Sequence, residues 1–522
     1  LFALAAAVAL PAPVLAQRPG PSTGAAIVGT STPRPVATGS FAPDSAAAKP
    51  YNSQRLRAGH LLRRAGFGPS PADLQTVLTL GPEAWVDQQL NPSAIDDSAA
   101  EARFYPVPDP FIDDFGLSHM RHWFTRMTYS RRQLLEKMTL IWHEHMPVSI
   151  GKIGIGKPLN DYEEMLRRNA LGSFRQLLIE LTRDNAMLVY LDNNYNSAFD
   201  YDGNPVPPNE NYARELLQLF TLGTQRLNMD GTPVRDGNGN IEPNYTEADV
   251  RAIARALTGF YIDDYETFGP SKFYDGFHDS SRKTFLGTTI PGRSGNDGAH
   301  EVDDVIDVIL AQPSTAPYIS KILIQKLATE TPTPSYVERV ATVFKTTNGN
   351  IKATVRAILT DPEFYADANI RTQFKTPIEQ YVGAIRALDA DSQGGSLVYW
   401  TLFTGHLVYY PPSVFSFYRP GKKGALVTAS QVTFYDNFAD DFVDTYTDEY
   451  TDTSFDAEAL IRDHNFKKPK KVVKFLEDAL LTAPLEPATR QAVIDYMGGR
   501  VTPEKVRGAV WLIMTSPDFQ LN

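Results

Sequence analysis

The 522-residue sequence contains no cysteine. This absence excludes disulfide bonds, thiolate metal ligands and a cysteine nucleophile. A folded body built from this chain must therefore be stabilised by packing. The side chains that remain for catalysis or metal binding are histidine, the carboxylates, the hydroxyl groups and lysine.

Positive charge is also scarce. The chain has 50 Lys and Arg residues against 61 Asp and Glu residues, which gives a formal net charge of -11 at pH 7. General nucleic-acid binding requires a dense basic patch, and the sequence contains none. The short lysine-rich run at residues 467–471 is interpreted as the solvated start of a helix. We therefore predict no nucleic-acid partner.

The motifs of several common enzyme classes are missing too. The chain has no Gly-x-Ser-x-Gly elbow, no Walker phosphate loop and no dinucleotide-binding glycine pattern. Serine esterases, nucleotide hydrolases and Rossmann oxidoreductases all lose support for this reason. After the first residues, no apolar run is long enough to cross a bilayer, so no transmembrane segment is predicted.

The N-terminal region predicts export. Residues 1–10 are a short apolar run, and small or apolar residues at 14–16 match the pattern that a signal peptidase reads. We expect a signal peptide at residues 1–16, cleaved after Ala16, whose own start precedes Leu1. Residues 17–50 are rich in Pro, Ser, Thr and Ala and predict a disordered leader. The expected location is periplasmic or extracellular, by either major export route.

The body, residues 51–522, predicts a mainly α, multi-helical fold. Capped segments with apolar residues at helical spacing follow one another along most of it. Residues 261–300 lose this period and predict at most a small β-hairpin region. A weak likeness between residues 355–364 and 506–519 suggests two related units, so two subdomains at about 51–300 and 301–522 are expected.

The most informative segment is residues 209–223. It places five polar or charged side chains on the first two turns of an otherwise apolar predicted helix. Glu210 and Arg214 are spaced to pair on the solvent side, while Asn211 and Glu215 share a second face beside the apolar stripe. The alternative is that Glu215 is paired by an arginine or a backbone amide for structural reasons.

Several motifs carry a resemblance to a known family. They lie in one order along the chain at residues 60–69, 142–145, 187–193, 209–223, 245–250, 254–259, 278–279 and 285–287. On these motifs the sequence resembles the bacterial family catalogued as domain of unknown function 1800. The resemblance implies a fold but no reaction. It also implies a partner to test, because relatives are often encoded beside an exported protein of the alkaline-phosphatase-like superfamily. Many members carry Asn where this chain has Glu144.

Histidine supplies the first candidates for chemistry. His143 and His145 flank Glu144 near the predicted end of a helix. Residues two apart on a regular helix point to opposite sides, so both imidazoles bind one metal only if the last turn unwinds. The alternative is that each is a hydrogen-bonded core histidine. A divalent metal is one option for a cofactor, with His143, His145 and His278 as its candidate ligands.

Together these motifs predict a site if the fold brings them into one pocket. The candidate catalytic residues are Glu215, His143, His145 and His278. The candidate binding residues are Asn211, Arg214, Asp279 and Arg255. Such a cleft would combine general bases, carboxylates and anion-binding arginines.

Two functional hypotheses follow from this set of residues. The first is an exported hydrolase, with or without a metal ion, that acts on an extracytoplasmic polymer such as a polysaccharide. The second is a non-catalytic helical binding or assembly protein of the cell envelope that works with an exported partner. The polar helix at residues 209–223 favours the first hypothesis slightly.

Overall fold

Helices make up most of the structure. The computed structural model describes residues 53–106, 109, 116–418, 422–444 and 451–522, and the predicted signal peptide and leader lie outside these ranges. The described residues form 24 α-helices and four short strands. The predicted mainly α fold is therefore confirmed. None of the helices in these ranges has the length and apolar character that a bilayer crossing requires.

The first twelve helices precede the short strands along the chain. They are α1 (Ser53–Arg64), α2 (Pro71–Leu80), α3 (Pro82–Gln89), α4 (Ser98–Glu101), α5 (Leu117–Tyr129), α6 (Gln133–His145), α7 (Ile150–Ile153), α8 (Gly156–Asn169), α9 (Phe174–Arg183), α10 (Asn185–Tyr190), α11 (Asn211–Glu215) and α12 (Glu247–Ala256).

The remaining twelve follow the strands. They are α13 (Glu301–Leu310), α14 (Thr315–Leu327), α15 (Pro334–Thr346), α16 (Ile351–Leu359), α17 (Pro377–Leu388), α18 (Gly395–Phe403), α19 (Ala429–Val443), α20 (Ala457–Asp463), α21 (Pro469–Leu476), α22 (Pro487–Met497), α23 (Pro503–Met514) and α24 (Pro517–Gln520).

The β structure consists of two antiparallel pairs of strands. The strands are β1 (Phe260–Tyr261), β2 (Lys272–Phe273), β3 (Lys283–Phe285) and β4 (Thr288–Ile290). Strand β1 pairs with β2, and β3 pairs with β4. These strands occupy the region where the helical period fails, as expected. Further isolated antiparallel bridges, such as the one between Gln225 and Pro243, were not predicted.

The helix predicted at residues 209–223 is only partly regular. It begins as α11 and continues as a π-helix over Leu216–Thr221. The Thr221 hydroxyl donates to the Leu216 carbonyl oxygen at 2.5 Å, and the Leu222 amide donates to the carbonyl five residues earlier, at Leu217. The side-chain bond competes with the ordinary backbone ladder, and single π turns of this kind often lie near functional sites.

Helix α6 lies at the centre of the body. Twelve of its 13 residues are buried, among them Glu136, Lys137 and Glu144. It packs against α5 and α8. Helices buried on all sides are usually apolar all round, because a charged group removed from water must find a partner. The charges of α6 therefore need oppositely charged or hydrogen-bonding groups inside the protein.

Two of these charges are paired with neighbouring helices. Glu136 makes a two-pronged contact with Arg167 of α8, with both nitrogen-to-oxygen distances at 3.0 Å. Lys137 Nζ lies 2.6 Å from Glu379 Oε1 of α17. Lys423 Nζ also contacts Glu379, at 3.3 Å from Oε2. These pairs hold α6 between α8 and α17.

Glu144 is held by three donors. Its carboxylate accepts hydrogen bonds from Lys326 Nζ at 2.7 Å, His406 Nε2 at 2.9 Å and the Tyr418 hydroxyl at 2.9 Å. Burial alone would raise the pKa of Glu144, but Lys326 and His406 outweigh it and hold the pKa well below its usual value. These partners come from beyond residue 300, so α6 links the two parts of the chain. The division into two subdomains stays a prediction.

We expect Lys326→Met to lower the free energy of unfolding by about 3–5 kcal/mol, because it leaves the Glu144 charge buried without its cation. Denaturant titration measures the change. The matched control is Arg356→Met, which breaks a half-exposed pair with Asp87 and should cost at most about 1 kcal/mol. Equal losses in the two variants would contradict this account of α6.

Candidate functional site

His143 is a buried histidine in an aromatic cage. Its Nε2 accepts a hydrogen bond from the Tyr409 amide at 3.1 Å, and rings including those of Trp123 and Tyr162 surround it. Since Nε2 accepts, the proton of the neutral ring is on Nδ1, which has no partner among the described residues. Burial lowers the pKa of His143 to about 3, although the charge of Glu144 opposes this shift.

His145 faces a different neighbour. Its Nε2 donates to the Phe220 carbonyl oxygen at 3.0 Å, which joins the end of α6 to the π-helix. Burial lowers the pKa of His145 to about 4. Because α6 stays helical up to His145, the imidazoles of His143 and His145 point to opposite sides. The unwound last turn that a shared metal would need is absent from α6.

His278 belongs to a third cluster. Its Nδ1 lies 3.0 Å from the Thr258 carbonyl oxygen, and its Nε2 lies 3.4 Å from Glu301 Oε1. Lys283 Nζ, 2.6 Å from Glu301 Oε2, completes this fully buried group. The cluster holds strand β3 to the start of α13.

Asp279 and Arg255 form a pair beside that cluster. Arg255 Nε lies 2.6 Å from Asp279 Oδ2, and the Ser281 hydroxyl donates to Asp279 Oδ1 at 2.5 Å. Burial alone would raise the pKa of Asp279, but these bonds outweigh it and lower the pKa to about 2. Arg255 therefore already has an anionic partner, which weakens its predicted role in binding an anion.

Glu215 lies half-buried at the end of α11. Its Oε2 is buried and has no hydrogen-bond partner in the described part of the chain. Burial raises the pKa of Glu215, and the nearby Arg214 opposes the shift. Arg214 pairs with Glu210 as predicted, and also with Glu247. The predicted structural partner of Glu215 is not found among these residues.

Asn211 occupies the same face of α11. Its Nδ2 donates to Asp192 Oδ2 at 3.2 Å, and Lys152 Nζ contacts the other oxygen of Asp192 at 2.6 Å. Asp192 has a positive φ of 60°, a conformation that non-glycine residues seldom adopt. Asn211 therefore stabilises a strained turn.

The three candidate metal ligands do not come together. Within the described ranges, no group of three or more histidine or carboxylate side chains could hold a metal ion. His143, His145 and His278 instead hold three different junctions of the fold. The catalytic roles assigned to these residues and to Glu215 stay predictions, and so do the binding roles of Asn211, Arg214, Asp279 and Arg255.

A groove on the surface contains a carboxyl group that the sequence did not single out. The groove has a volume of about 610 Å³ and lies between α8, α9, the start of α10 and the loop 267–271. Hydrogen bonds from Asn185 Nδ2 to the Gly269 carbonyl, at 2.8 Å, and from Ser271 Oγ to the Arg183 carbonyl, at 2.6 Å, hold the loop in place. The groove therefore has a fixed wall on that side.

Most acidic side chains of the groove have a cationic partner. Asp161 pairs with Lys157, and Glu180 pairs with Arg168 at 2.9 Å. Glu164, the third of these carboxylates, contacts two arginines, Arg126 and Arg167. These carboxylates therefore keep their charge balanced at the groove surface.

Asp184 differs from the other carboxylates of the groove. It caps α10, where its Oδ1 accepts a hydrogen bond from the Met187 amide at 3.0 Å, and it makes no ion pair with any described residue. Asp184 is partly exposed and lines the groove. Burial raises the pKa of Asp184 to about 7, the charge of Asp161 acts in the same direction, and the Met187 amide opposes the shift.

A proton donor thus borders the groove, and an acceptor without a partner lies buried beside it. Asn185, beside Asp184, has a buried Oδ1 that accepts no hydrogen bond from the described residues. Sequence reasoning missed Asp184 because an aspartate before a short helix is an ordinary N-cap signal. Its unusual protonation depends on packing, which no local motif reports.

These features define a mainly α-helical protein with a carboxylate-lined groove. The family described as "Protein of unknown function (DUF1800)" matches residues 60–521, most of the chain, and the chain belongs to that family. The resemblance stated from the motifs is confirmed. No curated protein and no solved structure matches the chain.

We expect His143→Phe to lower the free energy of unfolding at neutral pH by about 1–3 kcal/mol, because the Tyr409 amide loses its acceptor. In the native protein His143 stays neutral down to about pH 3, whereas it protonates at about 6.5 when unfolded. Its contribution to stability is therefore lost as pH falls through this window.

The difference between native protein and His143→Phe should accordingly be largest above pH 6.5, shrink as pH falls and reverse in sign before about pH 3, as measured by denaturant titration at several pH values. The control is His300→Phe, at an exposed position. A difference that stays constant with pH would contradict this account of His143.

We expect Asp184→Asn to become more stable relative to the native protein as pH rises from about 4 to about 7. Unfolded Asp184 ionises at the low end of this range and folded Asp184 at the high end, so the native protein bears a growing cost that the variant lacks. Asparagine preserves the cap. Melting temperatures measure the trend, with Glu180→Gln as control, and a flat difference for Asp184→Asn would disprove the elevated pKa.

Proposed function

We propose that this protein is a hydrolase that cleaves a polymer held in the groove beside Asp184. The observation that carries the proposal is a carboxyl group without an ion-pair partner in a groove whose other carboxylates are paired. Such an arrangement is costly for stability, and destabilised groups that persist in clefts are characteristic of function.

Asp184 suits the role of general acid. With a pKa of about 7, it is largely protonated at slightly acidic pH and has a proton to donate there. Asp161 lies near enough for its charge to favour the protonated form of Asp184. A pair of carboxyl groups in unlike environments can divide the acid and base roles between them.

The proposed reaction is a hydrolysis in which atoms balance. Water attacks the electrophilic atom of the scissile bond and loses a proton to the Asp161 carboxylate. The bond to the leaving oxygen breaks, and that oxygen takes the proton of Asp184.

The shape of the groove and the predicted export signal support a polymer substrate outside the cytoplasm. The groove is open and has a fixed wall, so a long chain can enter from the side. The export signal predicted at residues 1–16 supports an exported protein. An exported partner belongs to the second candidate function, given next.

The second candidate is a non-catalytic binding or assembly protein. The burial of His143, His145 and His278 favours it, because all three imidazoles make structural contacts instead of facing a substrate. Under this alternative, Asp184 would be an N-cap and nothing more. An activity assay with a variant at Asp184 separates the two candidates.

The test uses purified protein and a panel of dye-labelled polymers that covers polysaccharides and polyesters, whose scissile bonds have an oxygen leaving group. We expect the native protein to release soluble dye from at least one polymer and Asp184→Asn to be slower by about a hundredfold or more. The rate should fall as pH rises above about 7, because Asp184 then loses its proton. The matched control, Glu180→Gln, changes a paired carboxylate of the same groove and should stay close to the native rate.

Two results would contradict the proposal. One is a panel on which the native protein releases no dye. The other is an Asp184→Asn variant that works at the native rate, since a general acid is needed in every turnover. Either result would favour the binding or assembly protein.

A further inference from the structure

Four exposed tyrosines lie on two neighbouring segments, 193–204 and 260–277. Their exposed fractions are 73% for Tyr195, 96% for Tyr201, 48% for Tyr265 and 52% for Tyr274. They account for four of the eleven large apolar or aromatic side chains that are exposed in the described ranges. We call this set the tyrosine platform. Such clustering marks an interaction surface, because single exposed residues would be scattered.

The platform is held together by contacts between the two segments. The Ala198 amide donates to the Phe277 carbonyl at 2.8 Å, and the Tyr201 and Phe277 ring centres are 5.5 Å apart. Tyr274 packs on the same Phe277 ring at 4.9 Å. At the other end, Asn194 Nδ2 donates to the Tyr265 hydroxyl at 2.8 Å. The rings are therefore positioned in advance of any ligand.

The platform adjoins the groove. Tyr265 lies in the loop between β1 and β2, and its ring centre is 5.5 Å from that of Phe268. Phe268 is buried in the same loop and lines the groove that contains Asp184. A chain that leaves the groove across this loop reaches the tyrosines next.

The charge of the two segments limits which ligands can bind to the tyrosine platform. The acidic side chains in the two segments are Asp200, Asp202, Asp263, Asp264, Glu266 and Asp275. Lys272 is the one basic side chain in them, and it already pairs with Asp263 at 2.5 Å. Nucleic acids and acidic polymers would be repelled, since stacking surfaces for nucleic acids need a basic groove. Anionic ligands are therefore excluded, and a neutral ligand is compatible with this surface.

A neutral polysaccharide fits these conditions. The faces of sugar rings carry weakly polarised C–H groups, which suit the negative face of an aromatic ring. Sugar hydroxyl groups can donate to the surrounding carboxylates. We propose that the tyrosine platform binds a neutral glycan chain and feeds it to the groove. This inference deepens the proposed hydrolase, on which its link to the groove rests.

Native electrophoresis in gels containing a soluble polysaccharide tests the inference. The panel is a β-1,4-glucan derivative, a β-1,3-glucan, an α-1,4-glucan and a galactomannan. We expect at least one to retard the native protein, and the double variant Tyr195→Ala and Tyr201→Ala to bind it about tenfold more weakly. Tyr201→Trp should preserve binding, since it keeps an exposed aromatic face.

The matched control is Tyr496→Ala, at an exposed tyrosine on α22 outside the platform, which should bind like the native protein. The inference is wrong if no polysaccharide retards the native protein, or if the double variant binds as tightly. It is also wrong if the tyrosine changes alter self-association in sedimentation without any effect of polysaccharide, because the platform would then be a protein interface.

Binding and cleavage can fail separately. Asp184→Asn should bind the polysaccharide as the native protein does, because Asp184 is not part of the platform. Binding without cleavage would reject the hydrolase and leave the glycan surface standing. Cleavage that is unaffected by the double variant, together with unchanged retardation, would reject the platform and leave the hydrolase standing.

Discussion

The rest of the structure depends on the burial of a charged helix. Helix α6 is enclosed on nearly every side, yet it carries Glu136, Lys137 and Glu144 into the interior. Each charge requires a partner there, because an unpaired buried charge costs several kcal/mol. The partners lie on α8, α14 and α17 and in the segment around Tyr418. The pairing of the charges of α6 therefore determines how these distant parts of the chain pack.

The groove follows from this packing. Helix α8, which Arg167 ties to α6, forms one wall of the groove, and α9 forms another. The other acidic side chains that line the groove each have a cationic partner, but Asp184 does not. The hydrogen bond from the Met187 amide lowers the pKa of Asp184 by less than burial raises it. A groove that pairs its other carboxylates yet leaves Asp184 without an ion pair bears a loss of stability at this position.

The sequence predicted the fold better than the site, for physical reasons. Periodicity and caps are local, so the helical body and the short β region were foreseeable. The π turn at Leu216–Thr221 was not foreseeable, because it depends on one side-chain hydrogen bond. The histidines share motifs with polar neighbours, but their partners lie elsewhere in the chain, and Tyr409, the partner of His143, is 266 residues away. Asp184 was missed because its N-cap role conceals a pKa that packing alone determines.

Asp184 should hold a proton inside the groove up to about pH 7. A ¹³C NMR titration of protein labelled at aspartate carboxyl carbons, with Asp184→Asn used to assign the signal, measures this directly. We expect the Asp184 signal to titrate near pH 7. A midpoint below about 4.5, close to that of an ordinary aspartate, would contradict it.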